Sequence, residues 1–154
     1  MAELKDIIAY ILKKYPTRSD MSNARLTKLV YLSDWKHSIK LYSQISNIKW
    51  YFNNFGPFVW DVKDTARDNP HLFELETTTN MYGDLKTIFI LRKIEYIPNL
   101  SDDEMESIDH VINETKNLSW DQFIRLVYST YPIASTERYT YINLIEKAKE
   151  YMRR

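Results

Sequence analysis

Residues 26 to 57 constrain this chain more than any other stretch, because their apolar positions leave a helix almost no face for solvent. At about 100° per residue, Leu26, Val30 and Leu41 fall on one arc, and Tyr31, Leu32, Trp35, Ile39 and Tyr42 fall on another. Arg25, Ser33, Lys36 and Lys40 form the one strip expected to be solvated, and Leu29 interrupts even that. The helix is therefore expected to be wrapped on most sides. Between the two apolar arcs runs a polar seam of Thr27, Asp34 and Ser38. A carboxylate in such a seam must be paired or hydrogen-bonded, because an unpartnered buried charge costs several kcal/mol. Further along, Gly56-Pro57 reads as a helix start, with a flexible residue before the helix and proline near its first position. The free N–H groups of that first turn are natural partners for the Asp34 carboxylate.

The pairing of K-L-V-Y-L-S-D-W, from Lys28 to Trp35, with the downstream F-G-P-F of Phe55 to Phe58 resembles the Panacea-domain antitoxins, the SocA-like family. The pattern of that family is K-L-x-Y-x-x-D/H-W, a short extended segment, then Y-G-P-V opening a helix. The match is tight from Leu26 to Val59; elsewhere it rests on the order of the elements. The chain departs from the pattern at Ser43, where a glycine often follows the aromatic, and at Phe58, which replaces the valine. The resemblance implies an antitoxin of a bacterial or prophage toxin–antitoxin system. Its partner would be a cognate protein toxin encoded nearby, either blocked directly or presented to a protease as by an adaptor. The motif residues Leu29, Tyr31, Leu32, Asp34, Trp35, Gly56 and Pro57 then read as structural.

The rest of the chain supplies the wrapping. Leu4, Ile7, Ile8, Ile11, Leu12 and Tyr15 make an amphipathic stripe that Pro16 ends. Thr17 to Ser22 is a polar connection, and Ser22 is a plausible N-cap for the central helix. Ile48, Trp50 and Phe52 alternate with Lys49, Tyr51 and Asn53, which predicts a short strand near 46–52. A helix is expected from Pro57 to about Arg67, with Phe58, Val59, Val62 and Ala66 inward. In the runs near 72–92, Phe73, Leu75 and Thr77 oppose Thr87, Phe89 and Leu91 as a β-hairpin, its loop carrying Asn80 and Gly83. Glu74 and Glu76 either face water or pair with Lys86 and Arg92. Ser101 to Glu104 and Ser119 to Gln122 both fit the capping box. The first opens a helix burying Met105, Ile108, Val111 and Ile112; the second opens one burying Phe123, Ile124, Val127 and Tyr131, which Tyr131-Pro132 stops. Ile142, Leu144, Ile145, Ala148 and Met152 mark a last helix. The expected fold is mainly α: one compact domain over residues 1–154, about six helices with a small antiparallel β element at the side.

Composition narrows the function classes. Lys plus Arg and Asp plus Glu are both 21, so no bulk basic field attracts phosphate, and nucleic acid is disfavoured as a partner. The chain has no cysteine, which removes disulfides, thiolate nucleophiles and Cys-ligated zinc. Two glycines are too few for a phosphate-cradling loop. No apolar run reaches the roughly 18 residues a membrane span needs, and a cytoplasmic protein is expected. With 44% apolar residues the chain should fold.

Few side chains offer chemistry. His37, His71 and His110 share no ligand spacing, and His110 with Glu114 reads as a solvated helical pair rather than half a metal site. Asp102, Asp103, Glu104 and Glu106 read as first-turn acids favoured by the helix dipole. No nucleophile elbow exists. No catalytic residue, cofactor or metal is therefore expected, and the protein is read as a non-enzyme. Asp34 carries two readings: a pocket for a ligand or a proton, or a clamp on the Gly56-Pro57 turn. Trp60 also carries two. On a helical wheel it lies opposite Phe58 with Lys63 and Arg67, so it either packs against a neighbouring element or anchors a partner. The expected role is a toxin-binding module. The alternative is a DNA-binding regulator of its own operon using Lys147, Lys149, Arg153 and Arg154, although cations at a helix C-terminus are favoured without DNA. An enzyme centred on Asp34 is a third possibility that lacks a partner group.

Overall fold

The computed structural model describes residues 1–16 and 21–154. Most of the polar connection expected over 17–22 lies outside the described residues. At its end, Ser22 is the N-cap as expected, its hydroxyl accepting from Arg25 N at 3.1 Å.

The central helix α2 (Asn23–Leu41) is the axis of the molecule, and α1 (Leu4–Lys14), α3 (Asp61–Arg67), α4 (Asp102–Thr115), α7 (Leu144–Met152) and strand β4 (Leu85–Leu91) all pack on it. Twelve of its nineteen residues are buried, including the whole run from Leu26 to Trp35. The expected wrapping is present but goes further than the wheel indicates. Ser33, assigned to the solvated strip, is buried and donates to Leu29 O at 2.8 Å. Leu41 and Tyr42, assigned to the apolar arcs, are exposed, because the helix ends there on Tyr42 in a left-handed conformation (φ 54°).

The mainly α expectation does not hold. Among the described residues there are seven helices and five strands; 49% of the chain is helical and 15% lies in two antiparallel sheets, so the fold is mixed rather than all-α. The extra sheet comes from two misread segments. Gly56-Pro57 does not start a helix but forms β2 (Gly56–Pro57), paired with β1 (Trp50–Asn53) in the register Phe52 opposite Pro57. The turn between them places Gly56 at φ 101°, a conformation open to glycine but strained for L side chains. Pro57 lacks an N–H and is tolerated because β2 is an edge strand of the β2-β1-β5 sheet. The helix is deferred to Asp61. At the other edge lies β5 (Tyr141–Ile142), pairing Ile142 with Trp50. Ile142 therefore belongs to a strand, and α7 begins only after Asn143, whose side chain accepts from Glu146 N at 3.1 Å.

The hairpin has the expected register, with Phe73 opposite Leu91, Leu75 opposite Phe89 and Thr77 opposite Thr87, between β3 (Phe73–Thr79) and β4. Glu74 pairs with Arg92 at 3.5 Å. Phe89 N donates to Met21 O at 3.0 Å, which ties the hairpin to the lead-in of α2. Both capping boxes are present, at Ser101/Glu104 opening α4 and at Ser119/Gln122 opening α5 (Trp120–Ser129). After α5, Tyr131 and Pro132 do not simply stop the chain but start the short α6 (Tyr131–Ala134).

Candidate functional site

Within the polar seam of α2, Thr27 donates to Asn23 Oδ1 at 3.2 Å inside the helix, whereas Asp34 holds the segment that follows it. Asp34 is fully buried. Its Oδ1 accepts from Ile45 N at 2.9 Å and Ser46 N at 3.0 Å. Its Oδ2 accepts from Ser46 Oγ at 2.5 Å and Trp50 Nε1 at 2.9 Å, with Gln44 Nε2 farther off at 3.5 Å. Burial pushes the Asp34 carboxyl up from its ordinary 3.8 to about 6, against the pull of these donors. Gln44 continues the network by donating to Ser46 O and Ile48 O, and Ser46 Oγ accepts from Ile48 N. The carboxylate thus clamps residues 44–50. The expected partner, the Gly56-Pro57 turn, is not among its hydrogen bonds; that turn instead rests beside the Tyr128 ring. The sequence misplaced the partner because the chain folds back on Asp34 directly after α2, one hairpin earlier.

The other motif residues complete this support. Leu29, Tyr31, Leu32 and Trp35 are buried, as are Gly56 and Pro57. Tyr31 meets the Trp50 ring edge-on at 5.5 Å and shares a 2.8 Å hydrogen bond with Thr130. Trp35 packs on Tyr151. Tyr31 and Asp34 hold β1 at Trp50, and β1 carries the β1–β2 hairpin and the chain beyond it out to the surface.

At that surface the hairpin delivers Phe58 and Trp60. Trp60 is the N-cap of α3 rather than a residue within a longer helix, and its indole is 60% exposed, touching the Phe58 ring edge-on at 5.0 Å. Phe58 and Val59, expected to face inward, are only half-buried because they precede the helix; Val62 and Ala66 are the buried face. Trp60 forms a shoulder between two grooves. One, of about 580 Å³, is lined by Tyr51, Phe58, Val59 and Tyr141 among others. Tyr51 and Tyr141 stack edge-on there at 5.1 Å. The other groove, of about 530 Å³, is lined by Trp60, Lys63, Leu85, Lys86 and Trp120 with the start of α2. The structure thus brings Trp60 and Lys63 together. Arg67 is not part of this arrangement: at the far end of α3 it pairs with Asp64 at 2.6 Å and lines neither groove.

Sequence reasoning missed Trp120, Leu85, Lys86, Tyr51 and Tyr141. Trp120 had a signal. It stands one turn before Phe123 on the apolar stripe of α5, at the first helical position, so its indole overhangs the end of the core and is 43% exposed. Tyr141 had none, since its place depends on a strand pairing across some ninety residues.

The remaining candidates sit where nothing is assembled. His110 and Glu114 are a solvated pair at 4.0 Å. His37 is buried against Ser107 Oγ at 2.9 Å. Asp103 and Glu106 pair with Lys40, and Glu104 completes its capping box. Lys28 of the motif is buried without an acidic partner among the described residues, and burial lowers its pKa to about 8. No described helix is long and apolar enough to cross a membrane.

Comparison with known proteins agrees with the motif. No curated protein and no solved structure matches the chain. The family model described as "Antitoxin SocA-like, Panacea domain" matches residues 26–132, from the first buried leucine of α2 to the proline of α6. By that match, which covers more than two thirds of its length, the chain belongs to the SocA-like antitoxin family of Panacea-domain proteins.

Proposed function

We propose that this protein is an antitoxin-like interaction module that binds and neutralises a cognate protein toxin through the aromatic shoulder at Trp60. The observation that carries the reading is the uncovered indole. A buried scaffold of Asp34, Trp50 and Tyr31 fixes the hairpin, and the hairpin ends by presenting Trp60 and Phe58 to solvent. A large exposed aromatic held on a rigid support is the usual anatomy of an interface anchor. Family membership supports a toxin as the partner. Neutralisation by direct blocking and by delivery to a protease both fit such a surface.

Asp34 is a structural clamp in this reading and the protein is not an enzyme. Every group around the carboxylate is a donor already engaged in holding residues 44–50, and none is a second acid or base. A DNA-binding role has less support. Lys147 pairs with Glu150 and Lys149 with Glu146, while Arg154 lies over the Tyr131 and Tyr151 rings.

The test is co-expression with the product of the neighbouring open reading frame. The protein should rescue growth, and Trp60→Ala should fold normally yet bind the toxin at least about 1–2 kcal/mol more weakly. A harmless neighbour, or toxicity undiminished by soluble co-expressed protein, removes the antitoxin reading. A variant that loses several kcal/mol of stability but keeps its affinity per folded molecule makes Trp60 a core residue.

A further inference from the structure

The groove on the α2 side of Trp60 carries a charge pattern that says more about what it binds. Its apolar floor is two indoles and Leu85, the leucine being 79% exposed. Its lining includes Lys63 and Lys86 and no carboxylate. Neither lysine has an acidic partner among the described residues. Outside the lining, Arg25 places its guanidinium 5.4 Å from the Trp120 ring centroid and 5.1 Å from that of Phe123. The start of α2 also opens here through Ser22, Asn23 and Ala24, which turns the positive end of a nineteen-residue helix toward the groove. In a chain of zero net charge, the lining of this groove is therefore positive around an apolar floor among the described residues.

We infer that this groove binds a short acidic peptide segment, with an aromatic or aliphatic side chain seated against Trp60 and Trp120 and flanking carboxylates reaching Lys63 and Lys86. The inference rests on the Trp60 surface being the partner surface and adds the chemistry of its occupant. A peptide suits the site better than a nucleic-acid strand. Asp61, Asp84 and Asp121 follow or precede Trp60, Leu85 and Trp120 in the chain, so the positive zone is narrow. A strand with a phosphate at every residue would run past the lysines into these carboxylates, whereas a peptide can confine its charge to a few positions. The carboxylate contacts are solvent-accessible and screened, so they set orientation and on-rate while the indoles hold the anchor.

The experiment is selection of random dodecapeptides displayed on phage against the whole protein, with Lys63→Glu/Lys86→Glu as counter-target. Both changes are on half-buried side chains that line the groove, and circular dichroism verifies that the variant is folded. Selected peptides should be enriched in Asp and Glu around one aromatic or aliphatic residue. They should bind the variant at least about tenfold more weakly and lose affinity with added salt. The inference is overturned if no acidic peptide is enriched, if the enriched peptides bind the variant equally well, or if oligo-dT binds wild type more tightly than they do and loses binding in the variant. Toxin rescue is scored separately. A protein that rescues but selects no acidic peptide sinks only this inference, and one that selects such peptides without rescuing sinks only the antitoxin reading.

Discussion

Replacing Asp34 with alanine and with asparagine separates the two jobs its carboxylate performs. In Asp34→Ala, Ile45 N, Ser46 N and Trp50 Nε1 all lose their acceptor while staying buried, and the Ser46 hydroxyl can turn elsewhere. Each orphaned donor costs about 1–3 kcal/mol. Against this, alanine removes the cost of holding a carboxylate out of water. What remains of that cost after the pull of the donors, read from the rise from 3.8 to about 6, is about 3 kcal/mol. Three orphaned donors at about 2 kcal/mol each, less that relief, leave an expected net loss of about 3 kcal/mol. Asparagine keeps one oxygen, which can still serve Ile45 N and Ser46 N, and its amide can donate to Ser46 Oγ. Trp50 Nε1, and Gln44 Nε2 at its longer distance, are left facing another donor. The lost bond and the relieved charge nearly cancel, so Asp34→Asn should lie within about 1 kcal/mol of wild type. Urea unfolding at pH 7, followed by far-UV circular dichroism, measures both. If alanine is as mild as asparagine, the hydrogen bonds to residues 45–50 contribute little and the clamp is misjudged. If asparagine is as damaging as alanine, the negative charge itself is needed.

Three further outcomes follow from the same structure. Because the folded pKa of Asp34 is raised, its protonation favours the fold, so this group stabilises increasingly as pH falls through about 6. Between pH 7 and pH 5 wild type should gain about 1 kcal/mol relative to Asp34→Asn; His37, whose pKa burial lowers, pulls the opposite way in both proteins and cancels in the comparison, and parallel pH curves would refute the assignment. Gly56→Ala should cost about 1–2 kcal/mol through its φ of 101° alone, since an added Cβ would meet the Tyr128 ring at an ordinary 3.7 Å; a neutral effect in thermal unfolding would show the turn can relax. Chelation with EDTA should leave the Tm unchanged, as no cluster of metal-ligating side chains exists among the described residues, and a clear drop would reveal a missed site.

The parts of the fold legible in the sequence were those fixed by short-range pattern. The stripe of α1, the two capping boxes and the Phe73–Leu91 register all depend on residues a few positions apart or on one alternating run, and all were found. So was the burial of Asp34, because a carboxylate between two apolar arcs has nowhere else to go. Its partners were not legible, since a clamp on residues 45–50 and one on the next turn have the same sequence requirement: free N–H groups downstream. Gly56-Pro57 failed for a related reason. The dipeptide suits a helix start and a tight edge turn equally, and pairing with Phe52 decides between them. A helical wheel groups Trp60 with Arg67 only if the helix extends back to Pro57; because α3 starts at Asp61, Trp60 is exposed at its N-cap while Arg67 pairs with Asp64 at the far end.

The β2-β1-β5 sheet also dictates an order of assembly. β1 is paired on one side within a few residues, by β2, but its other edge waits for Tyr141–Ile142. The same long wait applies to Tyr10 with Asp109, Tyr15 with Thr115 and Tyr31 with Thr130, each pair about a hundred residues apart. On a ribosome, the first two thirds of the chain would emerge with α2 only partly covered and one strand edge unpaired, a state open to proteases and to mispairing. Non-local closure of this kind slows folding, because the loop entropy is lost before the contacts form. The groove of Tyr51 and Tyr141 then comes into being only at the final step, so a nascent chain truncated before Tyr141 lacks one wall of it however well α2 has formed.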